Sequence, residues 1–145
     1  MDIEDLNLDT LSSSKEETDY YRKYNIIILN IANIVTDYCP DNEEFEKIKI
    51  KINMAYQVES DEPLTKSMDF LDKFGSLIQE QKYDEFLKMD IKEEVTDGDE
   101  EVIDLLENLK EIYLEMDDEE KTHIHNLLTA MVFVYGCYIQ NIDNE

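Results

Sequence analysis

Apolar residues recur every three to four positions along most of the chain, and short polar clusters interrupt them. That period is the signature of amphipathic helices. From Lys15 to Tyr38 the stripe comprises Tyr20, Tyr24, Ile27, Ile28, Ile31, Ile34, Val35 and Tyr38. Ser14-Lys15-Glu16-Glu17 fits a capping box at its start. Cys39-Pro40 stops it, because a residue before proline is pushed out of the α region. The run Ile26–Leu29 is β-branched enough for a strand. Asn25, Asn30 and Asn33 return at the spacing of a polar helix face, which favours a helix.

The same alternation of caps and stripes continues. Asp41-Asn42-Glu43-Glu44 reads as a second capping box, opening a helix to Val58 with Phe45, Ile48, Ile52 and Ala55 inward. Residues 48–52 alternate Ile and Lys, a pattern that also fits a strand. Ser60-Asp61-Glu62-Pro63 predicts a cap with proline in the first turn. The helix to Gln79 then carries Leu64, Met68, Leu71, Phe74 and Ile78. A shorter element, Lys82–Met89, presents Tyr83, Phe86 and Leu87. Residues Asp90–Asp99 read as the main loop, turning at Asp97-Gly98. Val102, Leu105, Leu106, Leu109, Ile112, Tyr113 and Met116 mark a helix over Glu100–Met116. Asp117 to Glu120 cap a last helix to Asn141, apolar almost all round from Leu127 and therefore expected at the centre. The expected fold is all-α: one bundle of five or six helices over residues 15–142, led by a flexible segment at 1–14.

Composition supports that reading. In 145 residues there are three glycines and two prolines, too few for turn-rich sandwiches and barrels. At 42% hydrophobic residues the chain can build a core, which an acidic disordered tail cannot. The longest near-apolar run, Leu127–Ile139, spans 13 residues, whereas a membrane span needs about 20. The first residues, Met1-Asp2-Ile3-Glu4-Asp5, lack the basic and apolar regions of a signal peptide. Cys39 and Cys137 stand far apart among apolar neighbours and are expected as reduced, buried thiols. No membrane association and a cytoplasmic location are expected.

Charge changes the picture most. Thirteen basic against 37 acidic residues give a net charge of −24. Phosphate contacts need clustered Lys and Arg, so direct nucleic-acid binding is not expected. The excess is uneven: residues 91–145 hold 16 acids and 3 bases, a net −13. Glu100, Asp104, Glu107, Glu111 and Glu115 step by three or four, forming an acidic ridge opposite Leu105, Leu109 and Ile112. Like charges at that spacing cost a few tenths of a kcal/mol per pair. A solvated face that keeps the chain soluble explains such a ridge, and so does a surface complementary to a basic partner.

Catalytic and metal signatures are weak. The three glycines stand alone, so no phosphate loop forms, and no cofactor motif is present. Reading Gly98 as the sixth residue of a calcium loop places Val95 at a ligand position and Asp104 where a bidentate Glu belongs. Glu120-x-x-His123 matches half of a helical di-metal motif, but His125 has Thr122 where the second Glu is needed. With 37 acids, adjacent carboxylates say nothing about acid–base catalysis. A non-enzymatic protein is expected. Tyr20, Tyr21 and Tyr24 cluster on the first helix, either as the rim of the core or as a contact patch.

An apolar first helix ending in Cys39-Pro40-Asp41 leads to a middle rich in Phe70, Phe74, Tyr83 and Phe86. Asp118-Glu119-Glu120-Lys121 then leads a hydrophobic last helix. Sixteen isoleucines, ten asparagines and a single arginine, Arg22, suggest AT-rich coding. In these features the chain resembles small acidic helical proteins of giant DNA viruses, over residues 20–140 and in pattern only. The resemblance implies an infected-cell or virion setting and transfers no functional residue. The expected function is docking of a basic partner, such as a nucleic-acid-binding protein whose phosphate-binding surface the ridge would occupy as a mimic. The alternative is a structural component of a virion or other assembly, with the tyrosines making the contacts.

Overall fold

A computed structural model describes residues 17–94 and 100–143. The helices run in the order α1 (Glu17–Tyr38), α2 (Glu43–Gln57), α3 (Glu62–Gln79), α4 (Tyr83–Lys88), α5 (Ile91–Glu94), α6 (Glu100–Tyr113) and α7 (Asp118–Asp143). No strand occurs among the described residues, so 26–29 and 48–52 are both helical. The fold is an all-α bundle around one continuous apolar core.

The helix buried on nearly every side is α1. It packs against α2, α3, α6 and α7. From Lys23 to Ala32 every residue is buried, including Asn25 and Asn30. Two of the three asparagines read as a polar face, Asn25 and Asn30, instead lie inside the protein and spend their amide hydrogens on backbone carbonyls, while Asn25 Oδ1 is left without a partner. Asn30 Nδ2 donates to the Ile26 carbonyl at 2.8 Å. Asn25 Nδ2 donates to the carbonyls of Ala55 at 3.2 Å and Ser60 at 3.0 Å, tying the α2–α3 junction to the middle of α1. A buried amide holds its place when its hydrogens find partners. The C-terminal helix, expected at the centre, packs along α1 and α3 but leaves Thr122, Asn126, Thr129, Phe133, Gly136 and Gln140 exposed on one face.

Helix ends also differ in detail. At α2 the cap is Asn42, not Asp41: its Oδ1 accepts from the amides of Glu44 at 3.1 Å and Phe45 at 3.3 Å. At α3 Ser60 Oγ accepts from Glu62 N at 3.2 Å, while the Asp61 side chain caps nothing. Asp117 caps α7 as expected, Oδ1 accepting from Glu120 N at 2.8 Å. The loop expected over Asp90–Asp99 holds the short α5, and α6 ends at Tyr113, before Met116.

Two further helix ends escape notice in a glycine-poor sequence. After α2, Glu59 N donates to Tyr56 O and Ser60 N to Ala55 O. After α3, Gln81 N donates to Ile78 O and Lys82 N to Leu77 O. Both are Schellman motifs, which normally set glycine at the left-handed position. Here Glu59 (φ 54°) and Gln81 (φ 63°) occupy it.

The buried face of α3 is turned slightly from the expected stripe: Ser67 and Phe70 are buried, and Met68 only half-buried. Phe70, Phe74 and Phe86 pack ring on ring, centroids 5.3 to 5.7 Å apart, anchoring α4 on α3. The flexible segment assigned to residues 1–14, the cap at Ser14 and the turn at Asp97-Gly98 lie outside the described residues.

Candidate functional site: an acidic end of the bundle

The five ridge residues do not form one surface. Glu107 is half-buried and engaged: Oε1 accepts from the Ile91 amide at 2.8 Å, and Oε2 lies 3.6 Å from Lys110 Nζ. Lys110 Nζ in turn donates to the Met89 carbonyl. This carboxylate therefore fastens α5 to α6. Asp104 is half-buried as well. Glu100 is exposed in the first turn of α6, about 16 Å along the axis from Glu111. Only Glu111 and Glu115 continue into a larger exposed patch.

That patch forms where two chain reversals meet. Residues 37–46 contain five acids (Asp37, Asp41, Glu43, Glu44 and Glu46) and no base. Residues 111–120 contain six (Glu111, Glu115, Asp117, Asp118, Glu119 and Glu120), again with no base. All eleven are exposed. Tyr38 joins the two segments, its hydroxyl donating to Glu120 Oε2. That hydrogen bond, reinforced by the charges of Glu120, Asp117 and Glu115, raises the Tyr38 pKa to about 12. A phenol feels those carboxylates only if they stand close by. The fold therefore gathers at one end of the bundle charges that lie some 80 residues apart in the chain.

The tyrosine cluster divides differently from its expectation as a contact patch. Tyr20 and Tyr24 are 2% and 0% exposed and belong to the core. Tyr20 packs edge-on against Tyr138, centroids 6.1 Å apart, and half-buried Tyr21 lies against the same ring at 5.7 Å. Of the three, only Tyr21 retains exposed surface, and an assembly contact built on all of them loses two of its residues.

His125, which the sequence left outside any metal motif, holds a polar junction between α4, α6 and α7. Its ring stacks on Tyr83 with centroids 4.0 Å apart and planes at 7°, and Nε2 lies 2.7 Å from the Tyr113 hydroxyl. Burial lowers the His125 pKa; Asp84 opposes that shift and Lys121 adds to it. Lys121 also sits over the Tyr113 ring, 5.1 Å from its centroid. Neither Tyr83 nor Tyr113 stands within helical reach of His125 in sequence, so no local signal marks this group.

Cys39 and Cys137 are free thiols, half-buried rather than buried. Burial raises the Cys137 pKa, which disfavours the reactive thiolate. Among the described residues no three His, Cys, Asp or Glu side chains converge as metal ligands, and no helix is long and apolar enough to cross a membrane. No family model, curated protein or solved structure matches the chain.

Proposed function

We propose that the protein is a non-enzymatic binding module that docks a basic protein through the acidic end of its bundle. The observation that supports this reading is the junction, through Tyr38 and Glu120, of two base-free segments whose acidic residues are all exposed. Clustering like charges opposes folding, and solubility alone is served equally well by dispersed carboxylates. A partner bearing Lys and Arg relieves that repulsion on binding. A protein whose own basic surface grips nucleic acid has the matching chemistry, so the acidic end acts as a competitor for phosphate. On the resemblance noted above, this activity belongs inside an infected cell.

The test uses an arginine-rich peptide as the basic probe and two variants of equal charge. One neutralises the acidic end (Asp41→Asn, Glu43→Gln, Asp118→Asn, Glu119→Gln). The other removes four exposed acids elsewhere (Asp61→Asn, Asp69→Asn, Glu80→Gln, Glu85→Gln). The first is expected to lose at least tenfold in affinity at low salt and the second little. Equal losses would reduce the attraction to net charge and refute the reading.

A further inference from the structure

A cavity of about 350 Å³ opens between α1, α2, α3 and α6, near the lower end of the range for small-molecule sites. Its walls are mainly aliphatic, with Ile28, Ile31, Ile52 and Met131 among them. Two carboxylate–ammonium pairs frame the mouth, Lys51 with Glu101 at 2.7 Å and Lys66 with Glu62 at 4.0 Å, so the charges that line it among the described residues balance.

The floor holds a polar group without a partner. Tyr24 lines the cavity, is 0% exposed, and its hydroxyl makes no hydrogen bond. Ser67, also on the floor, donates its own proton to the Pro63 carbonyl at 2.7 Å and is a close polar neighbour of the Tyr24 hydroxyl without completing a hydrogen bond to it. An unpaired buried hydroxyl costs on the order of 1–3 kcal/mol, and native interiors rarely leave one without a reason. Burial drives the Tyr24 pKa far upward, so the phenol stays protonated and acts as a donor.

We propose that this cavity binds a neutral, mainly aliphatic molecule with one acceptor oxygen, of the ketone, ester or alcohol class, which receives the hydrogen bond of Tyr24. Neutrality follows from the pairing of the described rim charges and from a net charge of −24, which repels an anion such as a fatty carboxylate. The aliphatic body fills the walls, and the oxygen supplies the partner that the fold leaves out. The site is separate from the acidic end and independent of the docking function proposed there.

The test titrates the full chain with three probes of equal chain length, 2-nonanone, nonane and nonanoate, following the methyl resonances of Ile28, Ile52 and Met131. The ketone is expected to bind saturably at one site, about five- to tenfold more tightly than the alkane, and nonanoate weakest. Tyr24→Phe keeps the shape of the ring and removes the unpaired hydroxyl, so the variant folds at least as stably as the natural chain. It binds the ketone only as well as the alkane. Ala55→Leu, which fills the cavity, abolishes both. Absence of saturable shifts with 2-nonanone would overturn the proposal, as would undiminished ketone binding by Tyr24→Phe or tighter binding of nonanoate. Methyl shifts that depend on protein concentration without any probe would also overturn it, marking a seat for a second copy of the chain.

Discussion

Tyr38 ends α1 and donates its phenolic proton to Glu120 in the first turn of α7, 82 residues further along the chain. The bond has a pH signature of definite sign. Its donor has an ordinary pKa of 10.0, raised to about 12 in the folded protein. The folded state therefore holds this proton more tightly than the unfolded state. The stabilisation is complete below pH 10 and is lost as pH rises through 12. Denaturation midpoints measured from pH 9 upward should fall for the natural chain. Tyr38→Phe should show a slope smaller by about one proton across that window. Parallel curves would show that the bond does not persist in solution.

His125 carries the opposite sign. Its folded pKa lies below the ordinary 6.5, so its contribution is present above pH 6.5 and is lost as pH falls through the folded value. His125→Gln keeps a polar group facing Tyr113 and cannot take up a ring proton. The stability gap between the natural chain and this variant should narrow below pH 6.5. A gap that widens on acidification would mean that the protonated ring is the favoured partner of Asp84.

Glycine should stabilise two helix ends, contrary to its usual effect. Glu59 and Gln81 hold left-handed backbone at the Schellman positions, where a side chain costs on the order of 1 kcal/mol. Glu59→Gly and Gln81→Gly are each expected to raise unfolding stability by up to about that amount. Urea midpoints settle the sign, and a drop in both variants would show that the helices end differently.

Asn25 is expected to be among the most sensitive polar residues in the core. Asn25→Ala takes the side-chain donor from the Ser60 carbonyl, leaves the Ala55 carbonyl with the Ser60 amide alone, and opens a gap beneath the α2–α3 junction. The expected loss is about 1–3 kcal/mol, read as a lower denaturation midpoint. Amide exchange should also accelerate around residues 55–62. A neutral substitution would mean that water replaces the side chain without cost.

Much of the bundle is legible in the amino-acid sequence because apolar spacing and side-chain caps are local signals. The stripes of α2 and α6 and the cap at Asp117 are found where the spacing places them. The burial of Asn25 is not legible, because a polar residue on a stripe looks solvated until its partners, 30 and 35 positions away, come into place. The ends at Glu59 and Gln81 lack the glycine that normally marks them. The acidic site was half legible. Charge density along residues 111–120 is plain in the chain, but its union with residues 37–46 depends on how α1 and α7 pack. The engagement of Glu107 with Ile91 and Lys110 likewise needs α5, which has no periodic signature at four residues.

The most direct test of the docking account is amide-shift mapping of the labelled protein with an arginine-rich peptide, at low salt and at about 1 M salt. At the higher concentration the Debye length is roughly 3 Å, so a surface electrostatic contact should vanish. The account predicts shifts concentrated at residues 37–46 and 111–120, disappearing together as salt rises. Shifts centred on Glu100 and Asp104, spread evenly over the surface, or persisting at high salt would contradict it.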